Sequence, residues 1–306
     1  MTGSRVAWVD HGDRGCVRLT GGERVRFLDG MVTNDVLELK PGLFCYAALL
    51  DRKGRIQADL YVLAQPDSFL LDIAVDRGRV VAETLERYII ADDVQVLDES
   101  EDSGHVGIEG PGGAELLSNL GLPAPAPGSF VREPWRETPL LCVGRGSVTS
   151  VGVQVLGPPS EIGELVSSLE IPRITPEAAE MLRLEEFLPR CGTDFSERNF
   201  PAEARLERAV STTKGCYIGQ EIVARIRTRG RVNRLLVQMR TEKPVAPGDP
   251  IACEGAPEGK VTSAVVSPVS GPLALGYVRS AHASPGTKVR IGETPGQVIG
   301  PPETPG

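Results

Sequence analysis

Long apolar runs are missing from this sequence, and so is a leader-like N-terminus. No segment of about 18 apolar residues occurs, so no transmembrane helix is predicted. The first residues show no basic stretch followed by an apolar run, so no signal peptide is predicted. We therefore expect a cytoplasmic protein with no membrane partner, whose cysteines are free thiols in a reducing compartment.

Cysteines and histidines at the spacing of metal sites are also missing. The chain has six cysteines but no CxxC motif, and only three histidines. His11, His105 and His282 are not expected to form a ligand cluster with any cysteine, so neither a zinc site nor a pre-built iron–sulfur site is predicted. The cysteines are Cys16, Cys45, Cys142, Cys191, Cys216 and Cys253.

Positive charge is in short supply. The chain carries 33 Lys and Arg against 41 Asp and Glu, which gives a net charge of -8. A general nucleic-acid binder gains its affinity by neutralising phosphates, and an anionic membrane surface also attracts basic segments. We therefore expect neither partner, although a local basic pocket stays compatible with this total.

The patterns that are present indicate an α+β fold of two or three domains. The chain has 306 residues, of which 41% are hydrophobic, enough to bury a core without disulfides. Apolar runs at 43–50 and 56–63 flank a polar turn, which predicts a hairpin, and 75–90 has the period of an amphipathic helix. Thr175 and Pro176 predict the start of another helix that ends near Phe187. Hairpins mixed with helices favour α+β over a doubly wound sheet.

The sequence pattern changes from Arg231 onward. Helical periodicity ends, and apolar runs bounded by Gly and Pro follow at 235–239, 261–266, 273–278 and 287–291. This pattern predicts a small all-β domain, a barrel, at 231–306, after a first region at 1–230 that has two lobes. The Pro/Gly-rich tail at 300–306 is predicted to be frayed.

Residues 212–229 have the pattern that most favours chemistry. Lys214-Gly215-Cys216 is predicted to lie in a loop, and Gly219-Gln220-Glu221 to open a helix that Gly230 ends. A thiol two residues from an ammonium and just before a helix N-terminus is favoured as thiolate, and the glycines let a ligand approach the backbone. The alternative is that Cys216 is a small buried side chain in a tight turn.

The string Lys214-Gly215-Cys216-Tyr217-Ile218-Gly219-Gln220-Glu221 resembles the signature of the YgfZ family, whose eukaryotic relatives support late iron–sulfur cluster maturation in mitochondria. Three other stretches, at 26–35, 45–60 and 182–206, resemble further segments of the same family. The resemblance covers most of the chain. It implies a multi-lobe folate-binding fold of the glycine cleavage T-protein type, with a C-terminal β-barrel.

The wider superfamily includes the T-protein, an aminomethyltransferase that uses tetrahydrofolate, and this resemblance implies roles for three residues. Glu185 matches the glutamate that holds the pterin edge, a suitable partner because a carboxylate accepts two N–H bonds. Tyr46 matches an aromatic residue that lines the folate pocket. Asp59 matches the catalytic aspartate of an Asp-Asp pair, whose first member is Ala58 here. From the residues alone, Glu185 reads as surface charge, Asp59 as a strand-turn cap and Tyr46 as core.

The departure from T-protein at Lys214-Gly215-Cys216 bears on function, since T-protein has no cysteine there. We therefore expect a tetrahydrofolate-binding protein that assists iron–sulfur cluster assembly or repair. Its catalytic residues would be Cys216, Lys214 and Asp59, its folate contacts Glu185, Tyr46 and Asp59, and its partners iron–sulfur apoproteins or assembly factors. One alternative is a folate-dependent aminomethyl- or methyltransferase with Asp59 as the catalytic carboxylate, which Ala58 disfavours. Another is a scaffold that docks apoproteins and uses folate only as a stabiliser.

Overall fold

The structure is a computed structural model that describes residues 6–230 and 232–300. The predicted domain start at Arg231 and the predicted tail from 301 lie outside the described residues. In the described ranges helices and antiparallel strands are interspersed, which confirms the α+β class. No helix within these ranges combines the length and the apolar character needed to cross a membrane.

The chain forms two compact units. The first contains the described residues up to Arg52, together with Gln57–Thr175 and Arg208–Ile218. The second contains Lys53–Ile56, Pro176–Glu207 and the described residues from Gly219 onward. Segments before residue 230 therefore group with the barrel, and the predicted domain division at 230 stays a prediction.

The first unit contains two five-stranded sheets with the strand orders β3-β4-β5-β2-β6 and β1-β7-β10-β9-β8. The neighbouring strands whose registers are defined pair antiparallel. The elements are β1 Ala7–Asp10, β2 Arg14–Thr20, α1 Arg24–Met31, β3 Phe44–Leu50, β4 Ile56–Ala64, β5 Phe69–Ala74, α2 Gly78–Tyr88, β6 Gln95–Asp98, β7 Gly104–Glu109, α3 Gly113–Asn119, β8 Phe130–Trp135, β9 Thr138–Val143, β10 Gly152–Gly157 and α4 Pro159–Ser167.

The sheet containing β3 to β5 has two different faces because side chains alternate along each strand. Ala58, Leu60 and Val62 of β4 belong to the apolar core that also includes residues of α1 and α2. The intervening Asp59 and Tyr61 point to the opposite face, where Tyr61 packs with apolar residues of the other sheet. This inner face therefore places polar side chains between the two sheets of the first unit.

The second unit contains a closed six-stranded barrel with the order β11-β14-β13-β12-β15-β16, which confirms the predicted C-terminal barrel. Apolar runs bounded by Gly and Pro predicted four of its strands, whereas β12 and β16 were not predicted. The elements of this unit are α5 Pro176–Glu185, α6 Gln220–Arg229, β11 Arg234–Thr241, β12 Pro250–Cys253, β13 Ala256–Ser267, β14 Gly271–Arg279, β15 Lys288–Ile291 and β16 Thr294–Ile299.

Candidate functional site

The ammonium of Lys214 lies among four oxygens at the C-terminal end of α1. Its Nζ is 2.9 Å from Asp29 Oδ1, 2.7 Å from the Asp29 carbonyl oxygen, and 2.9 Å from the carbonyl oxygens of both Val32 and Asn34. The Lys214 side chain is only 1% exposed. We call these four oxygens the Lys214 cage. A cation at a helix C-terminus is favourable because the last carbonyls have no partner within the helix.

The loop that carries Cys216 is held on both sides. Lys214 anchors it through the cage, and the Ile218 N–H donates to the Gly30 carbonyl at 3.1 Å, again at the end of α1. Tyr217 is buried, whereas Cys216 between these anchors is exposed. The prediction of a loop is thus in agreement with the structure, and the buried-turn alternative for Cys216 is not. The charge of Lys214 is already paired with Asp29, so it is not a free neighbour of the thiol.

The turn at Thr33 and Asn34 binds the chain just upstream of this loop. Thr33 Oγ1 donates to the Ala209 carbonyl at 2.5 Å, and the Ser211 N–H donates to the Thr33 carbonyl at 3.0 Å. Asn34 Nδ2 donates to the Tyr46 carbonyl at 2.8 Å. The two Thr33 bonds therefore hold the turn after α1 against residues 209–211, just before the Cys216 loop.

The remaining cysteines are less accessible than Cys216. Cys16, Cys142 and Cys253 are buried, and Cys45 and Cys191 are partly buried. Burial raises the pKa of the thiols of Cys16, Cys45 and Cys142 to about 12, so these three stay protonated at neutral pH. Accessibility therefore singles out Cys216.

Tyr46 and Asp59 meet on the inner face of the first sheet. The Tyr46 hydroxyl donates to Asp59 Oδ2 at 2.9 Å, and the Tyr46 ring lies 4.8 Å from the Tyr61 ring, centroid to centroid. The guanidinium carbon of Arg145 lies 3.7 Å from the Tyr61 centroid. The predicted pair of site residues is therefore brought together, beside an aromatic pair and a cation.

Asp72 forms a buried ionic centre on the same face. It is 1% exposed, accepts from Arg14 Nε at 2.8 Å, and also accepts a short hydrogen bond from Arg145. His105 Nδ1 lies 3.9 Å from Asp72 Oδ1, and its Nε2 is 2.9 Å from the Ser103 hydroxyl. The face thus combines two carboxyls with two guanidinium groups.

Burial and these neighbours set different protonation states for the two carboxyls. Burial raises the pKa of Asp59, and the nearby Arg14 only partly offsets it. Burial also opposes ionisation of Asp72, but Arg14 and Arg145 outweigh it and hold the Asp72 pKa well below its usual range. Asp72 is therefore fixed as an anion, whereas Asp59 takes up a proton more readily than Asp72 does.

Glu185 lies in the second unit, at the last residue of α5. Its carboxylate accepts a short hydrogen bond from the Ser267 hydroxyl, which in turn accepts from the Ser270 N–H at 2.8 Å. The side chain is partly buried. Glu185 is therefore an oriented carboxylate and not a free surface charge, although its predicted contact with a pterin stays a prediction.

The segment around Glu185 also contains a structural ion pair that was not predicted from the sequence. Arg183 is 3% exposed, and its Nη1 donates to Asp194 Oδ2 at 2.7 Å. Asp194 also accepts from Thr262 and Ser263 of β13, at 2.6 and 2.7 Å. This pair holds α5 against the barrel strand, so it positions the backbone that carries Glu185.

Sequence reasoning also missed Arg14, Asp72, His105 and Arg145. A signal for one of them was available, because Asp72 interrupts the apolar run Phe69–Ala74 that forms β5. A charged residue inside an otherwise apolar strand indicates a buried and paired charge. Its partners could not be read from the sequence, since Arg145 is 73 residues away.

Two domain models match the chain. Residues 1–126 match the model described as the GCVT N-terminal domain, and residues 234–300 match the glycine cleavage T-protein C-terminal barrel domain. The second match coincides with the closed barrel of the structure.

Relatives that match over most of this chain carry transferase names. A mitochondrial aminomethyltransferase of Gallus gallus is 31% identical over 295 residues, covering 90% of this chain and 74% of the relative. A putative chloroplastic transferase of Arabidopsis thaliana is 27% identical over 301 residues, covering 94% of this chain and 68% of the relative. The crystal structure of glycine cleavage system aminomethyltransferase T from Bartonella henselae has a TM-score of 0.89 at 22% identity, covering 98% of this chain and 86% of that one.

Proposed function

We propose that this chain, which belongs to the glycine cleavage T-protein family, is a tetrahydrofolate-binding protein of the YgfZ branch that assists iron–sulfur cluster assembly or repair. The observation that carries the proposal is the Cys216 loop. It is anchored on both sides to the end of α1 and leaves one thiol exposed. A held, accessible thiol suits transient contact with sulfur, iron or a partner protein.

The inner face of the first unit supports the folate part of the proposal. Tyr46 and Tyr61 offer aromatic rings for a flat heterocycle, and Asp59 offers a carboxyl that can accept or donate a hydrogen bond. The buried Arg145 Nε has no hydrogen-bond partner among the described residues. A guanidinium N–H of this kind fits a carbonyl or carboxylate oxygen, both of which a folate carries. These donors and rings fit the group that the family implies.

Each residue then has a limited task. Tyr46 would pack on the bound ring and hold the Asp59 carboxyl through its hydroxyl, while Asp72 keeps Arg14 and Arg145 in place. Glu185 would accept N–H groups of the aminopyrimidine edge, as the resemblance implies. When bound, the reduced folate supplies a carrier for one-carbon units. Cys216 acts as the thiol of the proposed maturation role, and Lys214 acts by fixing the loop.

Calorimetry with tetrahydrofolate tests the folate part. Tyr46→Ala should weaken binding because the ring surface is lost, whereas the matched variant Tyr46→Phe keeps the ring and should bind more tightly than Tyr46→Ala. Glu185→Ala should cost about 1–3 kcal/mol, because a pterin donor would be left unpaired. Unchanged affinity in Glu185→Ala would remove that residue from the site, and no binding by the wild-type chain would end the folate proposal.

A transferase of the T-protein type is the second candidate, favoured by the 31% identity to an aminomethyltransferase and by Asp59, whose carboxyl remains in place on β4. Ala58 is 0% exposed in the core, so the neighbouring position offers no second carboxyl. This candidate would be favoured if the wild-type chain transferred an aminomethyl carbon to tetrahydrofolate and the Asp59→Asn variant did not. The proposal above predicts no such transfer by the wild-type chain.

A further inference from the structure

At one end of the barrel, three side chains with metal-ligating atoms come together. A ligand atom from each of Cys253, Glu258 and His282 lies within 4.8 Å of the others. The expectation that the histidines and cysteines stay apart is wrong here, because Cys253 and His282 are 29 positions apart in sequence yet meet across the barrel. Glu258 Oε1 is 2.9 Å from His282 Nδ1.

The backbone between Cys253 and Glu258 has two irregularities that shape this cluster. Glu254 and Gly255 have φ values of +50° and +78°, so a tight two-residue turn joins β12 to β13 directly after Cys253. The register then shifts, because Ile251 pairs with Gly259 and Ala252 with Pro257, which leaves Glu258 as the extra residue of a bulge. Bulges re-aim side chains and are frequent beside functional sites.

The bulge turns Glu258 inward. Lys260 is exposed and Val261 is buried, so strict alternation would place Glu258 on the outer face with Lys260. Its side chain is instead 0% exposed. The carboxylate is oriented by the Arg279 N–H, which donates at 2.6 Å, while the Arg279 guanidinium lies 3.7 Å away. A buried carboxylate needs such polar partners, and here it is held with its oxygens beside the Cys253 thiol and the His282 ring.

We propose that Cys253, Glu258 and His282 bind a divalent transition-metal ion of the zinc type, as a site independent of the folate face and of Cys216. Sulfur, imidazole and carboxylate form a ligand set typical of zinc, and three protein ligands leave a fourth position for water or another ligand. His282 is 22% exposed, which gives that position access to solvent. Cys253 loses its thiol proton to solvent on binding, so affinity rises with pH.

The geometry needs only a small adjustment. Zinc bonds of about 2.0–2.3 Å in a tetrahedral site place ligand atoms about 3.3–3.8 Å apart. The Glu258–His282 contact of 2.9 Å must open slightly, and ligand atoms that are up to 4.8 Å apart must approach to within that range. The Arg279 N–H acts as the outer partner that fixes the carboxylate.

Titration of the metal-free full chain with Co²⁺ tests the site. We expect one Co²⁺ per chain, with the absorption of a thiolate–cobalt bond, displaced by Zn²⁺. The band should persist in Cys216→Ser, which removes the exposed thiol, and should be absent in Cys253→Ser. His282→Gln should weaken binding about 10-fold or more.

Three results would overturn the proposal: no band with the wild-type chain, a band that persists in Cys253→Ser, or a band lost in Cys216→Ser. Circular dichroism checks that each variant folds. If Cys253→Ser does not fold, the partly exposed His282 carries the test, and unchanged affinity in His282→Gln contradicts the site. If Co²⁺ binds the His282→Gln variant as tightly as the wild type, then Cys253, Glu258 and His282 form only a hydrogen-bonded network.

Discussion

The buried Lys214 ammonium is neutralised by the Asp29 carboxylate at the end of α1, 2.9 Å away. The sequence predicts that Cys216 lies in a loop and that the nearby Lys214 ammonium favours its thiolate form. Its carboxylate partner, Asp29, is 185 positions away, and only the fold reveals that the charge is paired there. A local pattern indicated the loop, whereas the long-range contact determined what the lysine does in it.

Lys214→Met should destabilise the fold strongly. The substitution leaves the Asp29 carboxylate, whose side chain is 9% exposed, without its cation, together with the cage carbonyls. Removing one partner of a buried pair costs about 3–5 kcal/mol, so the free energy of unfolding in urea should fall by that order. Lys260→Met changes an exposed lysine of the barrel and should stay within about 0.5 kcal/mol of the wild type. Equal effects of the two substitutions would contradict the cage.

Cys216 should be the first cysteine that limiting iodoacetamide modifies at pH 7. It is exposed, whereas the other five are buried or partly buried. Peptide mapping identifies the modified site, and Cys191→Ser serves as the control because Cys191 is the partly buried competitor outside a regular strand. If Cys191 reacts first, or if Cys216 reacts only after denaturation, the thiol is not accessible in the folded chain.

Among the secondary-structure elements, the strands that could be predicted are those with apolar runs between turn residues. The hairpin of β3 and β4 and four barrel strands follow from apolar runs between turn residues, and the structure confirms them. The helix expected over 75–90 begins instead with a short 3₁₀ turn at Val75–Arg77, followed by α2. The bulge at Glu258 and the ionic centre at Asp72 could not be predicted, because both depend on pairing between strands that the sequence does not specify.

The buried His105 of β7 should make the free energy of unfolding decrease as the pH falls. Burial lowers its pKa from 6.5 to about 4, while it faces Asp72, Arg14, Arg145, His11 and Cys16. Between these pH values the unfolded chain takes up a proton that the folded chain does not, so stability decreases as pH falls. The loss is about 3 kcal/mol over that window.

Urea unfolding at a series of pH values measures this effect. His105→Gln should remove the dependence between pH 6.5 and 4, and His282→Gln should retain it. A wild-type stability that is flat over this window would contradict the assignment. Below pH 4 the free energy of unfolding should fall further. The folded chain holds the pKa of Asp72 below its usual range, so the unfolded chain takes up a proton at this carboxyl before the folded chain does.

For the whole molecule, the sequence predicted the fold in more detail than the reaction. The two-domain match and the TM-score of 0.89 confirm the family architecture that the motif resemblance implied. Relatives with the same architecture are named aminomethyltransferases, so the architecture alone does not determine the reaction. Cytoplasmic location stays a prediction, since relatives include mitochondrial and chloroplastic proteins.

We propose a role in iron–sulfur cluster maintenance that depends on the exposed thiol of the anchored loop. Its most direct test is the activity of cluster-dependent enzymes in cells that lack their own homologue and express this chain, its Cys216→Ser variant or, as a matched control, its Cys191→Ser variant, at equal protein levels. We predict that the wild type and Cys191→Ser restore these activities and that Cys216→Ser does not. Full restoration by Cys216→Ser would show that the thiol is not required and would favour a scaffold role in which it takes no part.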